Sequence, residues 1–366
     1  MAQSRRTTEI VLPNEVIIEI LTWLPVKSLL KFKCVCRSWR ALISSQRFIK
    51  AHLHNSKLAP NLAHDMLAFA CRPGNFRQCS VNSMLYESVS QVSDLSYPFE
   101  LVENYRVMGT CNGLLLVRLN YTEVILWNPS TRTCKKLPHF GVELAEDDLL
   151  GDFGLGYDKS KDDYKVVGFF DTSSGLSDVI IAVYSLRNDE WKRIKNINCR
   201  DVFPGCSAFA NGKLYYFTKP EYGSDWEILS IDLEKEEYEI LQMPSNVKLD
   251  DDSCMAVSEG SLFLLWPHPT FAAADVWMLD GCSVGIKNWT KVVSIPCRYD
   301  NGVMYTHFTQ LLYVLKNGLV MFRNGRTFVV YDAKDGSFRY PRIRDMGECR
   351  SFGVHTYVES LVSPVG

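Results

Sequence analysis

A turn followed by an apolar strand returns at near-regular intervals along this chain, and that repetition restricts the fold more than any other feature. The first half of the unit reads Asn112-Gly113-Leu114-Leu115-Leu116, Asn211-Gly212-Lys213-Leu214-Tyr215-Tyr216, Glu259-Gly260-Ser261-Leu262-Phe263 and Asn317-Gly318-Leu319-Val320-Met321. Glycine permits the positive φ that a tight hairpin turn needs. The second half is a strand ending in an aromatic or Ile-Asp signature, followed by an aromatic and often a proline. It runs from Val124–Pro129 to Leu137-Pro138, from Val183–Leu186 to Trp191, and from Leu229–Asp232 to Tyr238 and Pro244. It returns from Val276–Asp280 to Trp289 and Pro296, and from Val330–Asp332 to Phe338 and Pro341. The marks at 127, 184, 231, 277 and 331 are 57, 47, 46 and 54 residues apart, the period of one four-stranded propeller blade. A lone sheet of that size has an apolar face it cannot bury, so the blades must stack around a common axis. Five blades are marked directly. Strands inferred in Asp65–Cys71, Gln78–Met84 and Leu101–Gly109, with the run Ser351–Leu361, supply a sixth; six is favoured over five.

The residues before the repeat have a different period. Val16, Ile17, Ile20, Leu21 and Leu24 fall a helical turn apart, with Pro13 in the first turn and Pro25 as the stop. Val26, Leu29 and Leu30 form a second apolar set, and Phe32, Val35, Cys36, Trp39, Leu42 and Ile43 a third. Ser44–Asn55 reads as a closing helix, with Phe48, Ile49 and Leu53 inward; periodicity is then lost over Lys57–Ala63, which holds Pro60. The expected organisation is therefore α+β and multidomain: a helical head over 7–56, a junction over 57–63 and an all-β propeller-like domain over 64–361. Units below about 40 residues usually need a metal, a disulfide or a partner. The head carries more apolar surface than it can hide alone, so part of that surface should meet another protein.

Charge separates the two parts further. The 366 residues carry a net charge of −2, yet residues 1–57 hold ten Lys and Arg against three acids, giving +7, and the remainder 30 against 39, giving −9. The basic residues of the head are scattered among apolar ones and match no DNA-reading motif, so an acidic protein partner is expected rather than nucleic acid. The opening residues MAQSRRTTEIVLPNE hold no apolar run like that of a signal peptide, and no stretch reaches the roughly 18 apolar residues of a membrane span. The twelve cysteines are then expected to be buried thiols in a reducing compartment, cytoplasmic and/or nuclear, with no membrane contact. Cys34-x-Cys36 and His52-x-His54 match no closed zinc motif, Cys36 falls on the apolar face of its helix, and no metal is expected.

The head resembles the F-box, the segment through which receptors of cullin-RING ubiquitin ligases dock on a Skp-family adaptor. The resemblance rests on Leu12-Pro13, Val16, Ile20-Leu21, Leu24-Pro25, Leu29, Val35-Cys36-Arg37 and Trp39-Arg40. The runs GTCNGLLLV, ILWNPSTRTCKKLP, FGLGYDKSKDDYKVVGF and VYSLRNDEWKRI are similar to the plant F-box-associated domain, often labelled F-box/kelch. The chain has no Gly-Gly pair, so the kelch label applies to architecture alone. The resemblance implies a receptor subunit of a Skp-cullin-F-box ubiquitin ligase that reaches cullin and RING protein through the adaptor. It also implies an unidentified protein target recruited for ubiquitination and degradation, in settings such as self-incompatibility or immunity. Docking would fall to Leu12, Pro13, Val16, Ile20, Leu21, Leu24, Pro25, Leu29, Val35 and Trp39.

Propellers can also be enzymes, so catalytic constellations matter. The histidines of the body, His64, His139, His268, His307 and His355, lack the spacing of a copper-radical site, and sialidase-type Asp-box turns are absent from the sequence. Nothing resembles Gly-x-Ser-x-Gly, a P-loop or a dinucleotide loop. The expectation is a non-catalytic protein without cofactor. The alternative is a binding module or enzyme whose head serves another interface. Trp127, Trp191, Trp277 and Trp289, at repeat positions, are expected to lock blades together. Trp226 and Trp266, outside those marks, are candidates for an exposed target-binding surface. The acidic stretches Glu143–Asp152 and Asp250–Asp252 read as solvated loops that could also steer a basic ligand.

Overall fold

Two prolines organise the head. In the computed structural model, Pro13 and Pro25 share φ −56° and ψ 144°, each standing just before a helix, α1 over Asn14–Thr22 and α2 over Val26–Phe32. Proline ends one helix and opens the next because it offers no N–H inside the first and has φ already set for the second. Helices α3 (Arg37–Ile43) and α4 (Gln46–Leu58) follow, the latter capped by Ser45, whose Oγ accepts from the Phe48 N–H at 3.3 Å. Helix α4 thus continues three residues past the expected Asn55, into the segment that loses periodicity. The structure describes residues 13–59, 62–72, 74–100, 105–120, 123–140, 150–171, 178–202, 207–220, 225–244, 247–249, 253–268, 273–280, 288–296, 299–300, 303–304, 309–346, 349 and 351–365. Leu12 lies outside the described residues.

The body is a ring of six four-stranded antiparallel blades. Blade 1 joins Ser351–Val358 to Asp65–Arg72, Asn75–Ser80 and Ser93–Asp94. Blade 2 spans Arg106–Lys136, blade 3 Leu150–Val202, blade 4 Ala208–Leu241, blade 5 Cys254–Pro296 and blade 6 Gln310–Arg339. Two of the strands assigned to the sixth blade are corrected. Gln78–Met84 is a strand only to Ser80; Val81, Met84 and Leu85, all buried, then have helical spacing and form α5 over Val81–Tyr86. Arg106–Cys111, within the expected Leu101–Gly109 strand and just beyond it, is the first strand of blade 2, because the Asn112-Gly113 turn folds it back on Leu114–Arg118.

Turn chemistry explains the repeat. Asn112 and Gly113 have φ of 52° and 86°, Asn211 and Gly212 of 52° and 78°, and Glu259 and Gly260 of 47° and 79°, the two consecutive left-handed residues of a type I′ hairpin. The Asn or Asp closing the third strand has its own task. The side-chain oxygen of Asn128, Asp232 and Asp332 accepts from the backbone N–H two residues on, and the residue four on is left-handed, as at Arg132, Glu236 and Gly336. Its aromatic follower braces the preceding blade: Trp191 donates to the Pro138 carbonyl at 2.7 Å, and Trp289 to that of Gln242 at 3.1 Å. Trp127 is fully buried between blades 1 and 2, 5.0 Å from the Phe76 ring. Trp277 packs, half-buried, in the core shared by blades 4 and 5.

Head and body share a core. Leu21, Val26, Leu29, Ile43 and Phe48 enclose Leu361 from the far end of the chain, while Ile49 and Leu53 of α4 press on the core of blades 2 and 3. Lys50 pairs with Asp162 at 2.6 Å, and Lys57 donates to Asn112 Oδ1 at 2.6 Å. His52 is buried, its Nε2 donating to the Leu24 carbonyl at 2.9 Å, with the His64 ring 6.1 Å away. Six of the described cysteines are buried thiols as expected, whereas Cys34 and Cys36 are exposed and Cys134 is half-buried, against the expectation.

Two tests follow from these contacts. Alanine at Gly212 meets no neighbour and carries only the left-handed backbone penalty, about 1–2 kcal/mol, whereas a Cβ on Gly113 would collide with Ser360 and stand 2.6 Å from the Val358 carbonyl. Thermal unfolding should place Gly113→Ala well below Gly212→Ala; equal losses would contradict the packing. The second test is pH. Burial, then the nearby His64, holds His52 below its ordinary value against the pull of Glu359 and the Leu24 carbonyl, and burial with Arg323 pushes His355 down to about 4. As pH falls through about 6.5 the unfolded chain takes up protons that these folded histidines refuse, so stability is lost. The melting temperature should fall between pH 7.5 and 5.5, and less so in His355→Asn.

Candidate functional site

The candidate docking face is what the head leaves uncovered. Its short helices turn one side to α4 and the C-terminal segment, and this fixes which apolar residues stay free. Pro13, Val16, Ile20, Pro25 and Val35 are exposed, Ile20 by 51% and Val35 by 63%. Leu24 and Trp39 are half-buried, Trp39 edge-on to Phe32 with ring centroids 5.5 Å apart. Leu21 and Leu29 are 2% and 0% exposed, so the expectation that they touch a partner is corrected. Leu21 lies about 100° around its helix from exposed Ile20, and Leu21 and Leu29 both belong to the core beneath the face. Sequence reasoning missed Ile18 and Trp23, both exposed beside this face; an apolar residue outside the inward-facing spacing was their only signal.

Exposed Lys27, Lys31, Arg37 and Arg40 surround the apolar residues, with Lys33 half-buried among them. Partial burial, helped by Arg40, lowers the Lys33 ammonium's pKa. Cys36 does not lie on an apolar helix face as expected. It is exposed at the start of α3, its Sγ 3.1 Å from Ser38 Oγ, and the Ser38 hydroxyl with the Trp39 and Ser38 backbone lowers the thiol's pKa. His52, its notional co-ligand, is committed to Leu24 inside the head. The described residues include no cluster of three metal-ligating side chains.

The body offers a second surface. Strand order puts the 112–113, 159–162, 211–212, 259–260 and 315–318 turns at the end nearest the head, with four-residue turns at 129–132, 186–189, 233–236 and 333–336. The blade-to-blade connections 95–105, 137–149, 242–253, 297–309 and 340–350 all leave from the opposite end. Long connections there can vary without disturbing the ring. Between the ends runs a central channel of about 1350 Å³, walled by the first strands of blades 1, 2, 4, 5 and 6 and lined at the head end by Lys57, Leu58, Ala59 and Leu62.

The two tryptophans proposed for target binding separate. Trp266 is buried in the core of blades 4 and 5 and donates to the Lys248 carbonyl at 2.8 Å, which corrects its assignment to an exposed surface. It shares a face with Leu262 and Leu264 in Ser261–Pro267, a strand buried on both faces, so its continuous apolar run was the available signal. Trp226 is half-buried beneath Lys219, whose Nζ stands 5.2 Å from the ring centroid. Asp152 is likewise no loop residue: it is buried in the first strand of blade 3, with its Oδ1 accepting from the Phe153 N–H. Most of Glu143–Asp152, and of Asp250–Asp252 all three residues, lie outside the described residues.

Comparison with known proteins agrees with both halves. Residues 11–51 match the F-box domain and residues 72–364 the F-box associated beta propeller domain. An F-box/kelch-repeat protein of Arabidopsis thaliana is 30% identical, covering 96% of each chain. The F-box protein CPR1 of the same plant is 26% identical over 96% of this chain and 88% of its own. Among solved structures, a chain of the nidogen/laminin complex aligns at 10% identity with a TM-score of 0.47, over 81% of this chain and 99% of that one. No described helix is long and apolar enough to cross a membrane. A helical F-box leading directly into a six-bladed ring, matched end to end by plant relatives, makes this chain a member of the F-box proteins that carry an F-box-associated β-propeller.

Proposed function

We propose that the chain, divided as head 7–56, junction 57–63 and body 64–361, is the substrate-recognition subunit of a Skp-cullin-F-box ubiquitin ligase working in the cytoplasm and/or nucleus. The observation that carries this reading is the uncovered strip of Pro13, Val16, Ile20, Pro25 and Val35, flanked by exposed Ile18 and Trp23, on a head whose other large apolar side chains are mostly packed. Burying an aliphatic side chain is worth about 1.5–3 kcal/mol, so a few such anchors give a firm complex. The basic rim suits an acidic adaptor and speeds its approach. Leu12 would extend the strip, and half-buried Leu24 and Trp39 would border it.

The body would hold the target at the face away from the head, so that the adaptor, cullin and RING protein approach from one side and the target from the other. The chain then contributes proximity: a lysine of the target is confined near the ubiquitin thioester, raising its effective concentration with no catalytic side chain of the receptor's own. Transfer of ubiquitin and degradation of the target are the expected consequences.

Purified full-length chain carrying Val16→Glu with Ile20→Glu should lose capture of a Skp-family adaptor by at least about a hundredfold, since two buried carboxylates without partners are costly. Its melting temperature should stay near that of the parent, because both positions are exposed. Leu29→Ala should weaken capture through the fold, with a loss of about 2–5 kcal/mol of head stability. Full adaptor capture by the double variant would overturn the proposal.

A further inference from the structure

The central channel is electrically polarised along its length. Its two described carboxylates, Asp65 and Glu259, lie at the head end and are engaged, Asp65 by the Tyr313 hydroxyl at 2.8 Å and Glu259 by Lys316 at 3.5 Å. The opposite mouth carries Arg72, Arg106 and Arg323 and, among its described lining residues, no carboxylate. Arg72 ends the second strand of blade 1, Arg106 begins the first of blade 2, and Arg323 lies near the end of the second of blade 6, so three neighbouring blades each present one guanidinium at the same end.

These arginines are held in place without being neutralised. Arg323 Nη1 donates to the Phe352 carbonyl at 2.7 Å and its guanidinium lies over the Phe352 ring at 5.4 Å, while its buried Nε–H has no acceptor. Arg72 is the register partner of Ser351, next to Phe352. Tyr105, beside Arg106, donates to the carbonyls of Cys71 and Asn75 and ties the start of blade 2 to the facing ends of the second and third strands of blade 1. Arg72 and Arg106 are exposed, and among the described residues their side chains make no hydrogen bond or ion pair. The nearby Asp94 is paired with Arg77 at 3.4 Å. A buried guanidinium donor without an acceptor is costly, and two free neighbours raise the positive potential of a partly enclosed mouth.

We propose that this mouth receives an anionic side chain, carboxylate or phosphate, from an extended segment of the protein the receptor recruits. The proposal rests on the receptor reading and names its substrate class: an acidic peptide segment. Planar guanidinium forks match both anions in bidentate geometry, and the partial burial of Arg323 strengthens its share of the contact.

The test is an array of randomised twelve-residue peptides probed with full-length chain, in parallel with the same array carrying phosphoserine in place of serine. Peptides retained by the parent should be enriched in Asp and Glu, or in phosphoserine, and which of the two dominates identifies the anion. Arg72→Gln with Arg106→Gln should weaken the retained peptides by about tenfold or more while melting as the parent does, since neither side chain has a partner. Retained peptides without acidic bias, no retained peptides at all, or unchanged affinity in the double variant would overturn the site. Adaptor capture by the same variant protein keeps the two ideas apart: it should be intact, and its absence from the parent would count against the receptor reading without touching the arginine mouth.

Discussion

The pairing of Ser351–Val358 with Asp65–Arg72 is the interaction on which the rest of the molecule depends. Eight consecutive register pairs, from Asp65 with Val358 to Arg72 with Ser351, bring strands nearly 290 residues apart into one blade and close the ring without a covalent link. Long-range pairing of this kind costs loop-closure entropy before any contact repays it. The same segment then continues past the ring. Asn128 donates to the carbonyls of Ser360 and Val362 at 3.1 and 2.7 Å, Val362 enters the core of blades 2 and 3, and Leu361 enters the core of the head. One stretch of chain therefore closes the propeller and orients the helical head on it.

That arrangement gives the two ends of the body separate work. The head end is made of tight turns, and the one in blade 2 has little room to change: Gly113 is pressed against Ser360, and Asn112 is bonded to Lys57 and to the Tyr164 hydroxyl. The other end carries the long connections and the arginines of the channel mouth. The ring between them holds the candidate docking face and the channel mouth at a fixed separation, which suits the proposed role of bringing other molecules together.

Much of this was legible in the sequence because the responsible forces are local. Asn-Gly turns, helical spacing and the two Leu-Pro pairs act within a few residues, and most elements they marked were found; the third helical set is split, with Phe32 ending α2 and Val35 and Cys36 in the turn before α3. Distant partners were harder to see. The blade shared by both ends of the chain could be anticipated, but its strands were partly misassigned because Val81, Met84 and Leu85 switch to helical spacing immediately after a strand. Burial was less legible than periodicity. Leu21 and Leu29 match the docking pattern yet are covered by the head's own core, and Trp266 fills the core of blades 4 and 5 from a strand buried on both faces. The arginine mouth had no sequence signal, since Arg72, Arg106 and Arg323 come together only when the ring closes.

Hydrogen exchange of the full-length chain with and without a purified Skp-family adaptor tests the central claim most directly. The account predicts new protection over residues 13–25 and 34–40, around the uncovered strip, with the strands of the body and the far connections unchanged. Protection confined to the propeller, or no change in the head at saturating adaptor, would contradict it.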